Sequence, residues 1–361
     1  MNSILIHGAT NCGSSNYGDF IYIDILYNHI ASKHINAYIW QPSCFFLKWV
    51  KGYIDSSKRI KLKSDTLLYA PGGYFGEGHN ARLRDNIVHF LRFMPIGLLY
   101  KMAKKNICVV AIGAGPNKNA LLRIAIRAIC SGSKFISVRD TTSFQSIKTI
   151  CPRARLYNYS DLIIASSTKM SKSPISKVNQ HLLSTIKGKK VLLIHFNNNT
   201  KALELFAKTS RSFLDSHKEY YPIVTSDNVL SNEIDLFNKF VKMIGVDCGH
   251  FIYNDPNELT TLLSIVNVVL TSKLHVGVVS SMFGKSVIVA ASHPEKTKRF
   301  YSQIGEERRC VSLYNTNKDE LLTMLNCFHD KTIHIPKKII QLADKSWNLI
   351  DTYIDNMKKQ M

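Results

Sequence analysis

The sequence predicts an α/β protein of two domains, each built on a parallel β-sheet. Short apolar runs of strand length alternate with longer stretches of helix length along the chain. This alternation is typical of parallel strands joined by helical crossovers. The length of 361 residues favours two domains. A hydrophobic content of 45% supports well-formed cores and argues against a disordered chain.

The first domain is predicted over residues 1–165. Its expected strands are Ser3–His7, Asn36–Trp40, Thr66–Ala70, Ile107–Ile112 and Phe135–Val138. Its expected helices are Asp19–Lys33, Arg82–Lys105, Ala120–Cys130 and Asp140–Thr149. Pro95 lies inside the second of these helices, and its missing N–H group is expected to bend the helix there.

A polar, serine-rich stretch separates the two halves of the chain. Ser166–Pro174 reads SSTKMSKSP, so a linker is predicted over residues 166–188. The second domain is predicted over residues 189–335. Its expected elements are strands Val191–Phe196, Ile223–Thr225, Phe251–Tyr253, Val266–Leu270 and Val287–Ala290, with a helix at Glu233–Ile244. Residues 336–361 are expected to form an amphipathic helix.

The chain is strongly basic, with a net charge of +21. Such a charge predicts attraction to phosphorylated substrates, anionic lipid or nucleic acid. The alternative is a lysine-rich solvated surface without a particular partner. No helix-turn-helix, zinc-finger or RNA-recognition signature is visible, so no specific nucleic-acid partner is expected.

The sequence indicates a cytoplasmic protein with metal-independent chemistry and no cofactor, and it leaves an activating divalent ion open. The start lacks the basic region and apolar core of a signal peptide. No window reaches the roughly 18 uncharged apolar residues of a membrane helix. The eight cysteines are scattered and show no metal-ligand spacing, which is typical of a reducing compartment.

Residues 271–288 carry the most informative motif, TSKLHVGVVSSMFGKSVI. The apolar run Ile265–Leu270 comes before it and reads as a buried strand, and a helix-like stretch follows. Lys273 and His275 therefore lie at the carboxyl end of a strand and beside a helix N-terminus. Open α/β sheets bind ligands at that end of their strands, and helix N-termini favour anions.

This motif resembles the corresponding stretch of polysaccharide pyruvyl transferases. Further stretches agree with that family in the same order: GATNCGSSNYGD at 8–19, AIGAGP at 111–116, VRDTTS at 138–143 and HPEKTKRF at 293–300. The resemblance implies two Rossmann-like α/β/α domains facing a cleft, as in GT-B glycosyltransferases. It places the acceptor in the first domain and the donor in the second. It also implies that the helix at residues 336–361 can cross back to the first domain. The implied reaction transfers the pyruvyl group of phosphoenolpyruvate onto two sugar hydroxyls as a ketal, in bacterial surface-polysaccharide synthesis.

Phosphoenolpyruvate, the implied co-substrate, carries a phosphate and a carboxylate, so its site must supply fixed cations. Protonation of its methylene carbon needs a general acid, and His275 matches the family position for that role. Its alternative is a histidine that caps a helix or packs in the core. Lys273, Leu274 and Lys296 match the family's donor contacts. Lys298 and Arg299 are close alternatives to Lys296. Many family members have Arg in place of Lys273, and Lys cannot form the planar bidentate pair.

Arg139 also matches a donor-binding position of the family, directly after the strand Phe135–Val138. Its alternative is a structural ion pair with Asp140 or with Asp161. Asp140 itself is expected to cap the following helix, with Ser143 as its partner.

The N-x-G-D of the first loop, Asn16 to Asp19, implies acceptor contacts. Asp19 is predicted as the base or as a ligand of an acceptor hydroxyl, and its alternative is a helix N-cap. Asn16 and Gly18 are predicted to contact the acceptor, with Gly18 allowing close backbone approach.

A second glycine-rich loop, APGGYFGEG at 70–78, follows the strand Thr66–Ala70. Gly72, Gly73 and Tyr74 are predicted to line the acceptor side. The Tyr74 ring is expected to stack on a sugar, although aromatic residues of such loops more often serve packing.

Two basic helices are expected to contact an anionic membrane, which would suit a lipid-linked acceptor. Arg123 and Arg127 lie one turn apart among Leu and Ile, and six further cations flank the apolar residues of Arg82–Lys105. The alternative is an ordinary helix with a solvated basic face.

Two other functions remain open from sequence. A GT-B glycosyltransferase would use a nucleotide sugar, but no E-x₆-E ribose-binding pattern stands in the second half. A non-catalytic polyanion-binding protein would be supported by the charge alone. The acceptor sugar can be lipid-linked or nucleotide-linked.

Overall fold

The computed structural model describes residues 3–8, 15–50, 64–77, 81–186 and 188–359. They belong to two compact units. Unit 1 comprises Met1–Ser14, Asp19–Lys169 and Lys337–Met361, and unit 2 comprises Ser15–Gly18 and Met170–Pro336. The short segment Ser15–Gly18 is therefore grouped with unit 2, although unit 1 contains the chain on either side of it.

Among the described residues of unit 1, six parallel strands form a sheet in the order β2-β1-β3-β4-β5-β6. The strands are β1 Ser3–His7, β2 Asn36–Ile39, β3 Thr66–Tyr69, β4 Asn106–Ile112, β5 Ser133–Val138 and β6 Leu156–Asn158. The order reverses between β1 and β3, which defines a topological switch point there.

The helices in this part of the chain have amphipathic or fully apolar sequences that cover the sheet. They are α1 Tyr17–Ser32, α2 Cys44–Trp49, α3 Leu83–Phe93, α4 Pro95–Met102, α5 Ala120–Gly132 and α6 Thr141–Ile150. Side-chain caps fix several starts. Asp140 Oδ1 accepts from the Ser143 amide at 2.8 Å, which confirms its predicted capping role.

Unit 2 has a second six-stranded parallel sheet within its described residues, in the order β12-β11-β10-β7-β8-β9. The strands are β7 Lys190–His195, β8 Tyr220–Thr225, β9 Gly249–His250, β10 Val268–Thr271, β11 Ser286–Ala291 and β12 Cys310–Ser312. The helices are α7 Lys177–Thr185, α8 Thr200–Ser216, α9 Glu233–Ile244, α10 Pro256–Ile265, α11 Leu274–Met282, α12 Pro294–Gln303 and α13 Lys318–Phe328. The switch point of this sheet lies between β7 and β10.

The last helix, α14, spans Lys337–Lys359 and belongs to unit 1. Its buried side includes Trp347, Ile350 and Ile354, at the three- and four-residue spacing of one helical face. Asp351 also joins it to α1, because its Oδ1 lies 2.8 Å from His29 Nε2.

The α/β class is confirmed, and several elements differ from expectation. The single helix predicted over residues 82–105 is two helices, because Pro95 lacks the N–H group needed to continue α3 and instead begins α4. The strand predicted at 251–253 lies upstream, at β9. The Phe251 amide still donates to the Val224 carbonyl at 2.9 Å, but the residues paired with β8 are Gly249 and His250. The edge strands β6 and β12 were not predicted, because each has only three residues.

The boundary between the two units, at Lys169 and Met170, falls inside the predicted linker 166–188. The later part of this stretch is held to unit 2, because Oε1 of the buried Glu258 accepts three hydrogen bonds from it. The donors are the Ser176 amide at 2.9 Å, the Ser176 hydroxyl at 2.8 Å and Asn179 Nδ2 at 2.7 Å.

Glu258→Ala should destabilise the protein by about 3 kcal/mol, because it removes three hydrogen bonds to a carboxylate, one of them from the buried Asn179. It should also increase protease cleavage within residues 170–188. Urea unfolding and limited proteolysis would measure the two effects. The matched control is Glu204→Ala, an exposed glutamate on α8, which should change stability by less than about 0.5 kcal/mol. Equal effects of both substitutions would contradict this role of Glu258.

Candidate active site

A cluster of polar groups in unit 2 lies where β10, β7 and β8 end side by side. Thr271 is paired with His195, and His195 with Thr225, in the sheet register. Asp227 follows β8 by two residues. Parallel strands present their carboxyl ends at one edge, so these polar side chains come together at the switch point.

His195 lies at the centre of this cluster and is fully buried. Its Nδ1 lies 2.8 Å from Thr271 Oγ1, and its Nε2 lies 3.5 Å from Asp227 Oδ1. The Lys273 amide donates to the same Thr271 oxygen at 3.1 Å. The Thr271 hydroxyl can donate to Nδ1, which leaves the proton on Nε2, facing Asp227 at a separation too long for a hydrogen bond.

Asp227 is a buried carboxylate whose charge is compensated. Burial alone would raise its pKa, but the Lys273 ammonium and His195 hold that pKa well below its usual range. Lys273 Nζ lies 3.8 Å from Asp227 Oδ1. The carboxylate therefore stays ionised at neutral pH and holds the lysine at the strand end.

The segment Ser15–Gly18 is bound to the same strand ends. Asn16 Nδ2 donates to Asp227 Oδ2 at 3.4 Å, and the Tyr17 amide donates to the Asp227 carbonyl at 3.0 Å. The Tyr17 hydroxyl lies 2.9 Å from Thr260 Oγ1. Asn16 and Gly18 were predicted on the acceptor side of the first domain, but they are grouped with unit 2 and its predicted donor residues.

Gly18 makes the closest approach in this segment. A Cβ atom at this position would overlap the ring of His275, with Nδ1 as the nearest atom. The need for glycine here is steric, since the ring occupies the space that any side chain would need. Gly18 thus leaves open the space that the His275 imidazole occupies.

Lys273, Leu274 and His275 open α11, with Lys273 as its N-cap residue. All three side chains are half-buried. The next strand, β11, leads to α12, and Lys296 is exposed in the first turn of that helix. The Ser292 amide donates to the Ser272 carbonyl at 3.1 Å, which ties the two strand ends together.

Sequence reasoning missed His195, Thr271 and Asp227. Each is a single polar residue at or just beyond the end of an apolar run, so the available signal was polarity at strand ends. These three residues could be recognised as one cluster only from the order of strands in the sheet, because β7 and β10 are neighbours there but not in sequence.

Arg139 belongs to unit 1, where it forms the structural ion pairs with Asp140 and Asp161 that the sequence offered as an alternative to donor binding. Its Nη1 lies 3.6 Å from Asp161 Oδ2, and its Nε lies 3.9 Å from Asp140 Oδ2. Tyr22 donates to Asp161 Oδ2 at 2.7 Å. Burial opposes the charged guanidinium, but Tyr22 and the two carboxylates raise the pKa of Arg139 above its usual value. The arginine is permanently charged and already has two anionic neighbours.

The sequence predicted that the Tyr74 ring stacks on a sugar. In the structure Tyr74 is instead buried in unit 1. Its ring stacks on Phe93 with centroids 4.8 Å apart. Gly8 and Gly72 make room for it, because a Cβ on either glycine would overlap the ring. The correction follows from these two glycines, which let a loop aromatic residue turn into the core.

The remaining acceptor candidates also belong to unit 1. The Gly72 carbonyl accepts from the Gly113 amide at 2.7 Å, and the half-buried Gly73 follows in the same turn. Asp19 lies in the first turn of α1. Burial raises the pKa of the Tyr74 hydroxyl, with the Asp19 carboxylate adding to the shift and Arg139 opposing it. Residues 9–14 of the glycine-rich loop lie outside the described residues.

The family follows from the sequence comparison. A family model described as polysaccharide pyruvyl transferase matches residues 16–294. The chain belongs to the polysaccharide pyruvyl transferase family. This result confirms the resemblance seen in the motifs. A comparison of this family member with curated protein sequences finds no match.

Solved structures similar to this pyruvyl transferase family member share its two-domain architecture. MnaA from S. aureus, solved with UDP, has a TM-score of 0.63 at 12% identity, over 98% of this chain and 97% of that one. The UDP-GlcNAc 2-epimerase of Methanocaldococcus jannaschii gives 0.61 at 11%, over 98% and 100%. Anabaena Alr3699/HepE, with UDP and glucose, gives 0.51 at 10%, over 100% of both chains. The predicted class of two Rossmann-like, GT-B-like domains is confirmed.

The described residues of this family member include neither a metal-binding cluster nor a membrane-spanning helix, and Cys108 and Cys130 are buried thiols. Among them, no group of three or more His, Cys, Asp and Glu side chains is arranged to hold a metal ion. Burial raises the pKa of the Cys108 and Cys130 thiols, which keeps them protonated at neutral pH. No helix in the described ranges is long and apolar enough to cross a bilayer.

Gly18→Ala should displace the His275 ring and destabilise the protein by roughly 1–3 kcal/mol, as expected when a packed site is overfilled. Thermal unfolding and the NMR titration of His275 would both register the change. Gly115→Ala is the control, since its Cβ would meet only Gly76 at an ordinary 4.0 Å. A His275 resonance unmoved by Gly18→Ala would contradict the packing described.

Asp227→Asn should destabilise the protein by roughly 2 kcal/mol at neutral pH, because it removes the charge that compensates Lys273. The lowered pKa of Asp227 stabilises the folded state above the unfolded-state pKa of about 4, and this contribution is lost as pH falls through the folded-state pKa. The stability gap to wild type should therefore narrow below about pH 4. Melting temperatures across pH would test this, with the exposed Asp215→Asn as control. A stability difference between wild type and Asp227→Asn that stays constant across pH would contradict an ionised Asp227.

Proposed function

We propose that the protein transfers the pyruvyl group of phosphoenolpyruvate onto two hydroxyls of a sugar, forming a ketal, in bacterial surface-polysaccharide synthesis. The observation that carries this proposal is the placement of Lys273 and His275 at the N-terminus of α11, at the switch point of unit 2. Family membership supplies the reaction class. The site supplies a cation and a titratable imidazole where an anionic donor would bind.

The proposed donor site uses charge and helix geometry together. The backbone N–H groups of the first turn of α11, including that of Leu274, would point toward an anion bound at the helix N-terminus. Lys273 neutralises the phosphate or carboxylate while Asp227 holds its ammonium in place. Lys296, in the first turn of α12, adds a second cation. Arg139 stays a predicted donor contact, and its ion pairs in unit 1 mean that it would bind an anion in competition with Asp161.

His275 is the proposed general acid. It gives a proton to the methylene carbon of phosphoenolpyruvate, and the first sugar hydroxyl adds to the electron-poor C2 while the acceptor-side base takes the hydroxyl proton. The bond between C2 and the phosphate oxygen then breaks, and the departing phosphate takes up that proton as it leaves as inorganic phosphate. The second hydroxyl forms the second C–O bond and gives its proton to His275, which completes the ketal and restores the acid. No redox change occurs, and no cofactor beyond the co-substrate is required by this scheme.

Asp19 is the proposed base or hydroxyl ligand on the acceptor side, together with the backbone of Gly72 and Gly73. Asn16 and Gly18 take a different role from the one first predicted. Their contacts with Asp227 and His275 make them positioning residues for the donor groups. The acceptor is proposed to be a lipid-linked or nucleotide-linked sugar, and a lipid carrier would place the reaction at the cytoplasmic face of the cell membrane.

Phosphoenolpyruvate should raise the melting temperature in a concentration-dependent way, by an amount equivalent to about 2.7 kcal/mol at one hundred times its Kd. Lys273→Ala should abolish most of this shift. His275→Ala should preserve much of the shift and lower ketal formation by roughly 10²- to 10⁴-fold, because it removes the acid rather than the anion contacts. Thermal unfolding and release of inorganic phosphate measure the two effects.

Lys298→Ala provides the matched control for Lys296→Ala, because both lysines are exposed on α12. Only the Lys296 substitution should weaken the shift with phosphoenolpyruvate. A shift produced by a nucleotide sugar and not by phosphoenolpyruvate would overturn the proposal and favour a GT-B glycosyltransferase. Nucleic-acid binding without sequence preference that is lost steeply between low and physiological salt would be an incidental effect of the net positive charge.

A further inference from the structure

Unit 1 exposes large apolar side chains on three consecutive helices. Met102 on α4 is 78% exposed, Ile124 on α5 is 69% exposed and Leu91 on α3 is 64% exposed. Helix α4 packs against both α3 and α5, and α3 also contacts α5. We call this surface the α3–α5 face, and its exposed apolar members are Leu83, Ile87, Val88, Leu91, Leu99, Met102, Leu121 and Ile124.

The pattern on α3 shows that this exposure is systematic. Leu83, Ile87 and Leu91 recur every four residues and form one stripe along the helix. The helix secures its inner side with different residues, since Phe90 and Phe93 pack against the core of unit 1. The outward stripe is therefore additional to the side chains that hold the helix in the fold. An exposed apolar surface of this kind indicates an interaction site.

The charge of this region is almost entirely positive. Residues 81–132 contain nine Lys and Arg residues and one acidic residue, Asp85. Arg123 and Arg127 lie one turn apart on α5 and line a pocket of about 200 Å³ with Ile124, Thr149 and Ile150. The pocket places two guanidinium groups directly beside an exposed apolar side chain. Guanidinium groups bind phosphate oxygens well.

We infer that the α3–α5 face docks onto an anionic phospholipid bilayer. The exposed Leu, Ile and Met side chains enter the boundary between headgroups and acyl chains, and the arginines and lysines contact lipid phosphates. A second copy of the chain fits this surface poorly, because two faces of the same strong charge would repel each other. Free phosphate alone would satisfy the arginines and leave the apolar side chains exposed.

This surface goes beyond the pyruvyl-transfer proposal and does not depend on it. The residues of the α3–α5 face belong to unit 1 and none of them is assigned to donor binding or catalysis. A bilayer contact would bring the enzyme to acceptors that are linked to lipid. The two proposals can fail separately, because one is tested by vesicle binding and the other by phosphoenolpyruvate.

Vesicle co-sedimentation of the full-length protein tests the inference. Binding is expected with vesicles of equal parts phosphatidylcholine and phosphatidylglycerol, and little binding with phosphatidylcholine alone. The double substitution Arg123→Gln with Arg127→Gln should lower the partition coefficient roughly thirtyfold, as two surface cations are lost. Added salt should weaken the charge contribution, and Ile124→Gln with Leu91→Gln should weaken binding at every salt concentration.

The matched control is Ile234→Gln on α9 of unit 2, because Ile234 is 68% exposed and thus comparable to Ile124. It should leave vesicle binding unchanged. Melting temperatures of all variants should match wild type, since the substituted side chains are exposed. Equal binding to both vesicle types, or binding that the four α3–α5 substitutions do not alter, would overturn the inference. Light scattering that shows a dimer dissolved by Leu91→Gln would also overturn it, in favour of a second copy.

Discussion

The ionised carboxylate of Asp227 is the constraint on which the unit 2 site depends. It is buried, so its charge must be balanced by fixed partners rather than by water. Lys273, His195 and Asn16 supply those partners from three different parts of the chain. One charge thereby sets the position of a strand end, a helix start and the segment that precedes α1. The proposed acid His275 lies two residues from Lys273 and is positioned by the same arrangement.

Much of the fold could be predicted because hydrophobic periodicity is local. The helix expected at Glu233–Ile244 has those same bounds, and the strand and helix around Lys273 are where the apolar pattern placed them. Lys273 and His275 were found for the same reason, since a strand followed by a helix implies a binding edge. His195 and Asp227 could not be found, because their proximity depends on the order of strands in the sheet.

The other differences also have non-local causes. Tyr74 stands in a glycine-rich loop that is typical of exposed segments, yet Gly8, distant in sequence, leaves space for its ring in the core. The serine-rich stretch before α7 has the composition of a linker, yet its polar groups satisfy a buried glutamate on α10. In both cases a distant residue decides burial, and composition read along the chain does not contain that information.

The contact between Gly18 and His275 has a consequence for how such sequences can change. The imidazole occupies the volume that a side chain at position 18 would need, so the two positions are coupled by size. Any relative with a larger residue at the equivalent of Gly18 would have to place a smaller or differently oriented group opposite it. The pair should therefore covary across natural sequences, and a redesign of the acid would have to begin with the glycine.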